Sequence, residues 1–372
     1  MRIGVPKEIK DHEDRVGLVP ASVAELTAHG HEVLIEGGAG LGAGITDADF
    51  LKAGAKIVEG PDAIWATAEM IVKVKEPLAI ERKKLSAGQL LFTYLHLAPD
   101  PEQTRDLVAS GATCIAYETV TSATGGLPLL TPMSEVAGRM AAQVGAHALE
   151  NASQGRGILL GGVPGVAPAK VVVLGGGVSG THATTIALGM GADVTVVDRS
   201  AEVLRRLERQ FGARVKTAFS TRDTVAELVA EADLVIGTVL VPGANTPKLV
   251  TRAMLATMKR GAVIVDVAID QGGCTETSHA TTHSNPTYVV DGIVHYCVAN
   301  MPGGVARTST FALANATLPF AVALAEKGWR KALADDPHLA NGLNVHAGRV
   351  TCPAVADALG YDLLPVAEAL NL

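Results

Sequence analysis

The sequence predicts an α/β protein made of two Rossmann-like, doubly wound parallel-sheet domains joined by helices, with the reacting groups in the interdomain cleft. Three observations predict it. Short apolar runs alternate with helix-spaced amphipathic runs through the N-terminal third. A glycine-rich turn follows an apolar strand near Gly175, and βα units repeat from there to about Val298.

Taken in order, Arg2 to Val5 reads as a strand, Pro20 to His29 as a helix and Glu32 to Glu36 as extended. Met70 to Lys75 is strand-like and stops at Glu76-Pro77; Gln89 to Leu95 is another strand, ending at His96. Both leave a polar residue at a strand's C-terminal end, the edge where open parallel sheets bind ligands. Ser134 is the expected N-cap of an Ala-rich helix that reaches Asn151, with Glu135 in its first turn, and this helix bridges the domains. Strands are expected at Lys170 to Leu174, Asp193 to Val197, Asp233 to Thr238 and Ala262 to Val267, with a small-residue helix from Thr181 to Met190. Beyond Ala306 the chain turns helical, rich in Ala and Leu from Phe311 to Lys327, with no complete sheet of its own. It is expected to pack back on the first domain, giving residues 1–128 plus 307–372 as a substrate domain and 129–306 as a dinucleotide domain.

Composition narrows the function. The 372 residues suffice for two packed domains, and 48% hydrophobic against 19% charged residues excludes global disorder. Aromatics at 3% leave the core to aliphatic side chains and offer no platform for stacking bases. With 31 basic and 38 acidic residues the net charge is −7, which disfavours capture of nucleic acid or an acidic membrane surface. The expected partner is a small molecule. Cys114, Cys274, Cys297 and Cys352 lie far apart with no CxxC pair, so reduced thiols are expected. The charged start, Met1-Arg2 to Lys7-Glu8, is unlike a signal peptide, and no run of about 18 apolar residues is seen to span a bilayer. A cytoplasmic protein is expected.

The strongest motif is Gly175-Gly176-Gly177-Val178-Ser179-Gly180, a G-x-G-x-x-G set between a strand and a helix. Gly175 permits the tight turn, Gly177 admits a pyrophosphate close to the backbone, and Gly180 allows close packing. Free amides at the following helix N-terminus stabilise the negative charge. The next strand ends in Asp198, placed to grip a ribose 2′-hydroxyl and to repel a 2′-phosphate. NAD is the expected cofactor, with NADP left open by the neighbouring Arg199. Asp270, past another strand end, is placed near the nicotinamide, or is a turn residue before Gly272-Gly273.

Hydride transfer also needs a cationic anchor for a substrate carboxylate and a proton-handling group. Arg15, Lys75 and His96 supply these types. Each has a plain alternative: Arg15 paired at the surface with Glu13 or Asp14, Lys75 paired with Glu76, His96 hydrogen-bonded in a loop. His279 and His283 have metal-like spacing, but the intervening residues and Pro286 suggest a loop, so no metal is expected. No G-x-S-x-G elbow marks a serine nucleophile.

These residues carry a resemblance. Gly4-Val5-Pro6-Lys7-Glu8 with Glu13-Asp14-Arg15-Val16, the Val72-Lys73-Val74-Lys75-Glu76-Pro77 strand end, Leu91 to His96, and His295 to Gly303 resemble motifs of the alanine dehydrogenase and transhydrogenase alpha-subunit family, along essentially the whole chain. The resemblance implies a homohexamer that oxidises L-alanine to pyruvate and ammonia with NAD, reversibly. It implies Arg15 and Lys75 at the substrate carboxylate and carbonyl, and His96 with Asp270 as the acid/base pair acting on iminopyruvate and water. It also implies cofactor contacts from Ser134, Val178, Asp198, Ser220, Val239, Leu240, Val267, Ile269, Val298 and Met301. Val203 and His279 depart from the family pattern, which bears on adenosine-side affinity. Two other readings are a transhydrogenase-type dinucleotide subunit and a non-catalytic NAD sensor.

Overall fold

The computed structural model describes residues 1–239 and 246–371. The chain forms two compact units, one of Met1–Met133 with the chain from Val305 on, the other of Ser134–Gly304. The first unit opens with β1 (Arg2–Val5), β2 (Glu32–Glu36), β3 (Lys56–Val58), β4 (Met70–Val72), β5 (Leu90–Thr93) and β6 (Thr113–Ala116). All of these pair in parallel. A helix at Pro20–Ala28 carries Pro in its first turn, where no amide donor is needed.

The second unit holds β7 (Lys170–Leu174), β8 (Asp193–Asp198), β9 (Val215–Phe219), β10 (Leu234–Gly237), β11 (Val263–Asp266), β12 (Thr287–Val290) and β13 (Ile293–Tyr296). Its sheet runs β12-β13-β11-β10-β7-β8-β9, parallel except for the edge strand β12. Strands such as Val171-Val172-Val173-Leu174 are apolar on both faces because helices cover both sides of a parallel sheet. Strand order reverses between β7 and β10, so the loops after these two diverge and leave the sheet edge open.

The chain then returns to the first unit, where β14 (Leu343–His346) and β15 (Arg349–Val350) complete an eight-stranded sheet of order β15-β14-β6-β5-β4-β1-β2-β3. The return includes the Ala306–Asp335 helix, bent at Gly328, whose φ is 71°. By length and composition alone the Met301–Asp335 segment is apolar enough to cross a bilayer, a test that core helices also pass, which corrects the expectation that no such run exists. Its apolar character is broken up by Thr, Ser and Asn and so is not seen as one run. Within the unit Leu313, Ala314, Ala321 and Leu324 are buried, as in a core helix.

Three elements have a boundary three residues from expectation. The Ala-rich helix spans Thr131–Ala148, so Ser134 lies inside its first turn and is not its N-cap. Pro132 tolerates that early start, and Thr131 donates its amide and its hydroxyl to the Leu127 carbonyl at 2.9 and 3.0 Å. The helix after the glycine turn starts at Val178, earlier than Thr181. Strand β4 ends at Val72 because the amides of Val74 and Lys75 bond the Glu8 carboxylate instead of a neighbouring strand.

Candidate active site

Four neighbouring parallel strands of the first sheet, β6, β5, β4 and β1, point their C-terminal ends the same way. The segments leaving them carry, in that order, Glu118, His96, Lys75 and Arg15. Arg15 is 2% exposed. Its Nε and Nη2 donate to the two carboxylate oxygens of Glu13, each at 2.6 Å, and Nη1 reaches Met133 Sδ at 3.1 Å. Burial pulls the Arg15 pKa down, but Glu13 more than reverses this, so the guanidinium stays charged. The pairing with Glu13 foreseen as an alternative is real, yet it is buried rather than at the surface.

Lys75 Nζ lies 3.2 Å from Glu76 Oε2, and Lys10 also pairs with Glu76. Burial alone would raise the Glu76 pKa; Lys75 and Lys10 outweigh it and bring it to about 2. Next to this pair Lys73, fully buried, donates to Glu8 Oε2 and Glu81 Oε1, both at 2.9 Å. The two carboxylates hold its ammonium charged against the opposing effect of burial. His96 is a non-glycine residue at φ 51°, a left-handed conformation that its surroundings must enforce. Glu118 does so: its Oε1 accepts the His96 amide at 2.6 Å, and both of its oxygens accept the Leu95 amide at 3.2 Å. The His96 ring stacks on Tyr94 with centroids 5.8 Å apart, and its Nδ1 lies 3.9 Å from Glu118 Oε1. Burial raises the Tyr94 pKa, so the phenol stays protonated and donates to the Leu129 carbonyl at 2.5 Å.

In the second unit the glycine turn is shaped by steric limits. Gly175 has φ 98°, and a Cβ on Gly180 would sit 1.8 Å from the Gly175 carbonyl oxygen. A Cβ on Gly177 would meet nothing within 4 Å, so this face of the loop is open. The Asp198 carboxylate accepts the amides of Gly176 at 2.7 Å and Ser200 at 2.8 Å. A carboxylate has about four lone-pair sites, so two remain for ribose hydroxyls. Gly138, in the Thr131–Ala148 helix, crosses the glycine turn so closely that a Cβ would lie 2.2 Å from the Ser179 carbonyl oxygen. There Ser179 Oγ donates to the Ser134 carbonyl at 2.9 Å.

The other cofactor candidates stand at the same edge. Ser220 follows β9 and donates its amide to the Asp198 carbonyl at 3.0 Å, Val239 follows β10, and Val267 and Ile269 follow β11. Val298 and Met301 follow β13 and are buried, whereas Val178 is exposed. Asp270 is exposed in a short turn at Val267–Gln271, where its Oδ1 accepts the Asn300 amide at 3.3 Å. Leu240 lies outside the described residues. An open loop leading into a helix N-terminus, with an acid on the next strand, fits a dinucleotide. His279 stacks on Tyr288 at 3.7 Å and His283 Nε2 lies 3.2 Å from the Asn300 carbonyl, so the two imidazoles have separate partners. Among the described residues no group of three His, Cys, Asp or Glu could hold a metal ion.

Models of the alanine dehydrogenase/PNT family match the chain in two parts, the N-terminal domain over residues 4–137 and the C-terminal domain over 141–353. The chain belongs to the alanine dehydrogenase/PNT family. It is 62% identical over 371 residues to an alanine dehydrogenase of Halomonas elongata, covering 100% of both chains. A solved L-alanine dehydrogenase superposes with a TM-score of 0.94 at 54% identity, covering 97% of this chain and 99% of the other. A transhydrogenase from Sinorhizobium meliloti superposes at 0.82 and 28% identity, covering 95% and 100%.

Within this alanine dehydrogenase/PNT chain the structure adds residues that sequence reasoning passed over. Glu8 and Glu118 hold the backbones of Lys75 and His96, and Arg206 Nη2 donates to the Gly176 carbonyl at 2.6 Å. Val203, one of the departures noted above, packs where a Cβ on Gly176 would come within 2.6 Å of it. Glu8 stands in a motif already singled out, three residues past Val5. For Glu118 and Arg206 no local sequence signal exists.

Proposed function

We propose that the protein catalyses the reversible, NAD-dependent oxidative deamination of L-alanine to pyruvate and ammonia, as a cytoplasmic homohexamer. The observation that carries this reading is the set Arg15, Lys75 and His96 on the segments that leave three adjacent parallel strands at their C-terminal ends. That set offers a carboxylate anchor, a second cation and a proton carrier to one small 2-oxo or 2-amino acid. A subunit that passes hydride only between nucleotides has no use for such a set.

NAD, when bound, supplies the hydride acceptor. Gly177 admits its pyrophosphate against the backbone of a turn that Gly175 and Gly180 shape, and Asp198 accepts from the adenosine ribose while repelling a 2′-phosphate. Ser134, Val178, Ser220, Val239, Leu240, Val267, Ile269, Val298 and Met301 complete the contacts in this reading. Arg15 binds the substrate carboxylate and Lys75 the carbonyl region. With Nδ1 facing Glu118, His96 presents Nε2 to exchange a proton with the oxygen that adds to the imine carbon. Asp270 orients the water or the amine.

The test is to mix protein, NAD and L-alanine at alkaline pH and follow NADH absorbance. Appearance of NADH with stoichiometric pyruvate is expected. Folded, NAD-binding protein that yields none would sink the reading, and sedimentation in the same buffer checks the six-chain assembly.

A further inference from the structure

Lys75 sits in a backbone held from two sides. Glu8, 6% exposed, accepts the Val74 amide at 2.6 Å and the Lys75 amide at 3.2 Å through the same Oε1. Thr93 Oγ1, from β5, donates to the Lys75 carbonyl at 3.0 Å. The peptide group before Lys75 is therefore held by Glu8 and by the Tyr94 amide, which donates to the Val74 carbonyl at 3.3 Å, and the one after it by Thr93. The last amide of this stretch to bond β5 is that of Lys73, which donates to the Phe92 carbonyl at 3.2 Å.

Glu8 is itself fixed. Its Oε2 accepts from Lys73, whose ammonium also bonds Glu81, and Glu81 Oε2 accepts the Leu78 amide at 2.8 Å. A buried array of two carboxylates and an ammonium is a poor source of stability, since apolar side chains of similar shape serve as well or better. Its value here is geometric: it presents one oxygen, at a fixed place, to two consecutive amides with no strand partner of their own.

We propose that Glu8, clamped by Lys73 and Glu81, and Thr93 are positioning residues that aim the Lys75 ammonium at the substrate. This rests on the reading of Lys75 as a substrate-binding group. Two charge-free triple variants of the full chain isolate the amide acceptor. The glutamine triple, Glu8→Gln/Lys73→Met/Glu81→Gln, keeps a side-chain oxygen at the first of these positions, and the leucine triple, Glu8→Leu/Lys73→Met/Glu81→Gln, removes it. For pyruvate reduction the glutamine triple is expected within about threefold of wild type in KM, and the leucine triple about tenfold or more above it. Both should bind NADH, followed by its fluorescence, within about twofold of wild type, because the cofactor contacts lie in the other unit. Thr93→Val, nearly isosteric, is expected to raise the pyruvate KM about threefold with kcat little changed, and it carries the test alone if the triples do not fold.

Lys75→Ala separates the two claims. If it leaves the pyruvate KM unchanged, the substrate-site reading fails. If it raises KM while the folded leucine triple and Thr93→Val do not, the positioning role is overturned and the site reading stands.

Discussion

In the proposed reading the two sheet edges recognise their ligands by opposite means. At the edge of the first sheet the cationic groups are side chains already matched to carboxylates: Arg15 to Glu13 and Lys75 to Glu76. At the edge of the second the working surface is backbone, shaped by Gly175, Gly177 and Gly180 and tied by Asp198. A small acid offers few atoms, so strong point charges in fixed directions must do the selecting. A dinucleotide is long and its pyrophosphate is satisfied by amides, so absence of side chains matters more than their identity.

Substitutions can break that contrast. The largest effect is expected at His96: His96→Ala should lower turnover by about 10²- to 10⁴-fold in a stopped-flow assay while NADH affinity holds. Equal losses in both would erase the division of labour between the edges. Gly180→Ala should do the reverse, weakening NADH binding by about a hundredfold or more, because its Cβ has no room beside the Gly175 carbonyl. Retained affinity would show that the turn relaxes freely.

A pH measurement sharpens the same contrast. The folded Glu76 pKa of about 2 lies below its ordinary 4.5. Its contribution to stability is thus complete above about pH 4.5 and is lost as pH falls toward 2, on the order of 3 kcal/mol in full. Denaturant titrations should show Glu76→Gln with a flatter acid limb than wild type, and parallel limbs would remove the carboxylate from the account. The smallest effect is at Asp198. Asp198→Ala should lower the preference for NAD over NADP about tenfold, and it also frees the Gly176 amide, so NAD affinity itself should drop. An unchanged ratio of kcat/KM values would take the carboxylate off the ribose.

Much of this was legible in the sequence, and the failures have a common cause. The glycine turn, Asp198 and the strand-end placement of Lys75 and His96 follow from local pattern, because each is defined by neighbours in the chain. The residues that hold them are not local. Glu8 bonds an amide 66 residues away, Arg206 a carbonyl 30 away, and Glu118 an amide 22 away. No periodicity encodes such a partner. The premature end of β4 has the same origin, since a distant carboxylate took the amides that the strand pattern had assigned to the sheet. The Ala-rich helix starts before Ser134, a good cap by type, because Pro132 already lies in its first turn.

The close crossing at Gly138 has a practical corollary. With no side chain there, the carbonyl of Ser179 sits almost against the neighbouring backbone, and the first turn of the Val178–Gly189 helix is seated by that contact. A single methyl at this point would act as a shim, lifting the glycine turn from the side away from its open face. If the turn holds the coenzyme as proposed, its affinity is thus adjustable from behind, at a place that screens confined to ligand-lining positions would pass by.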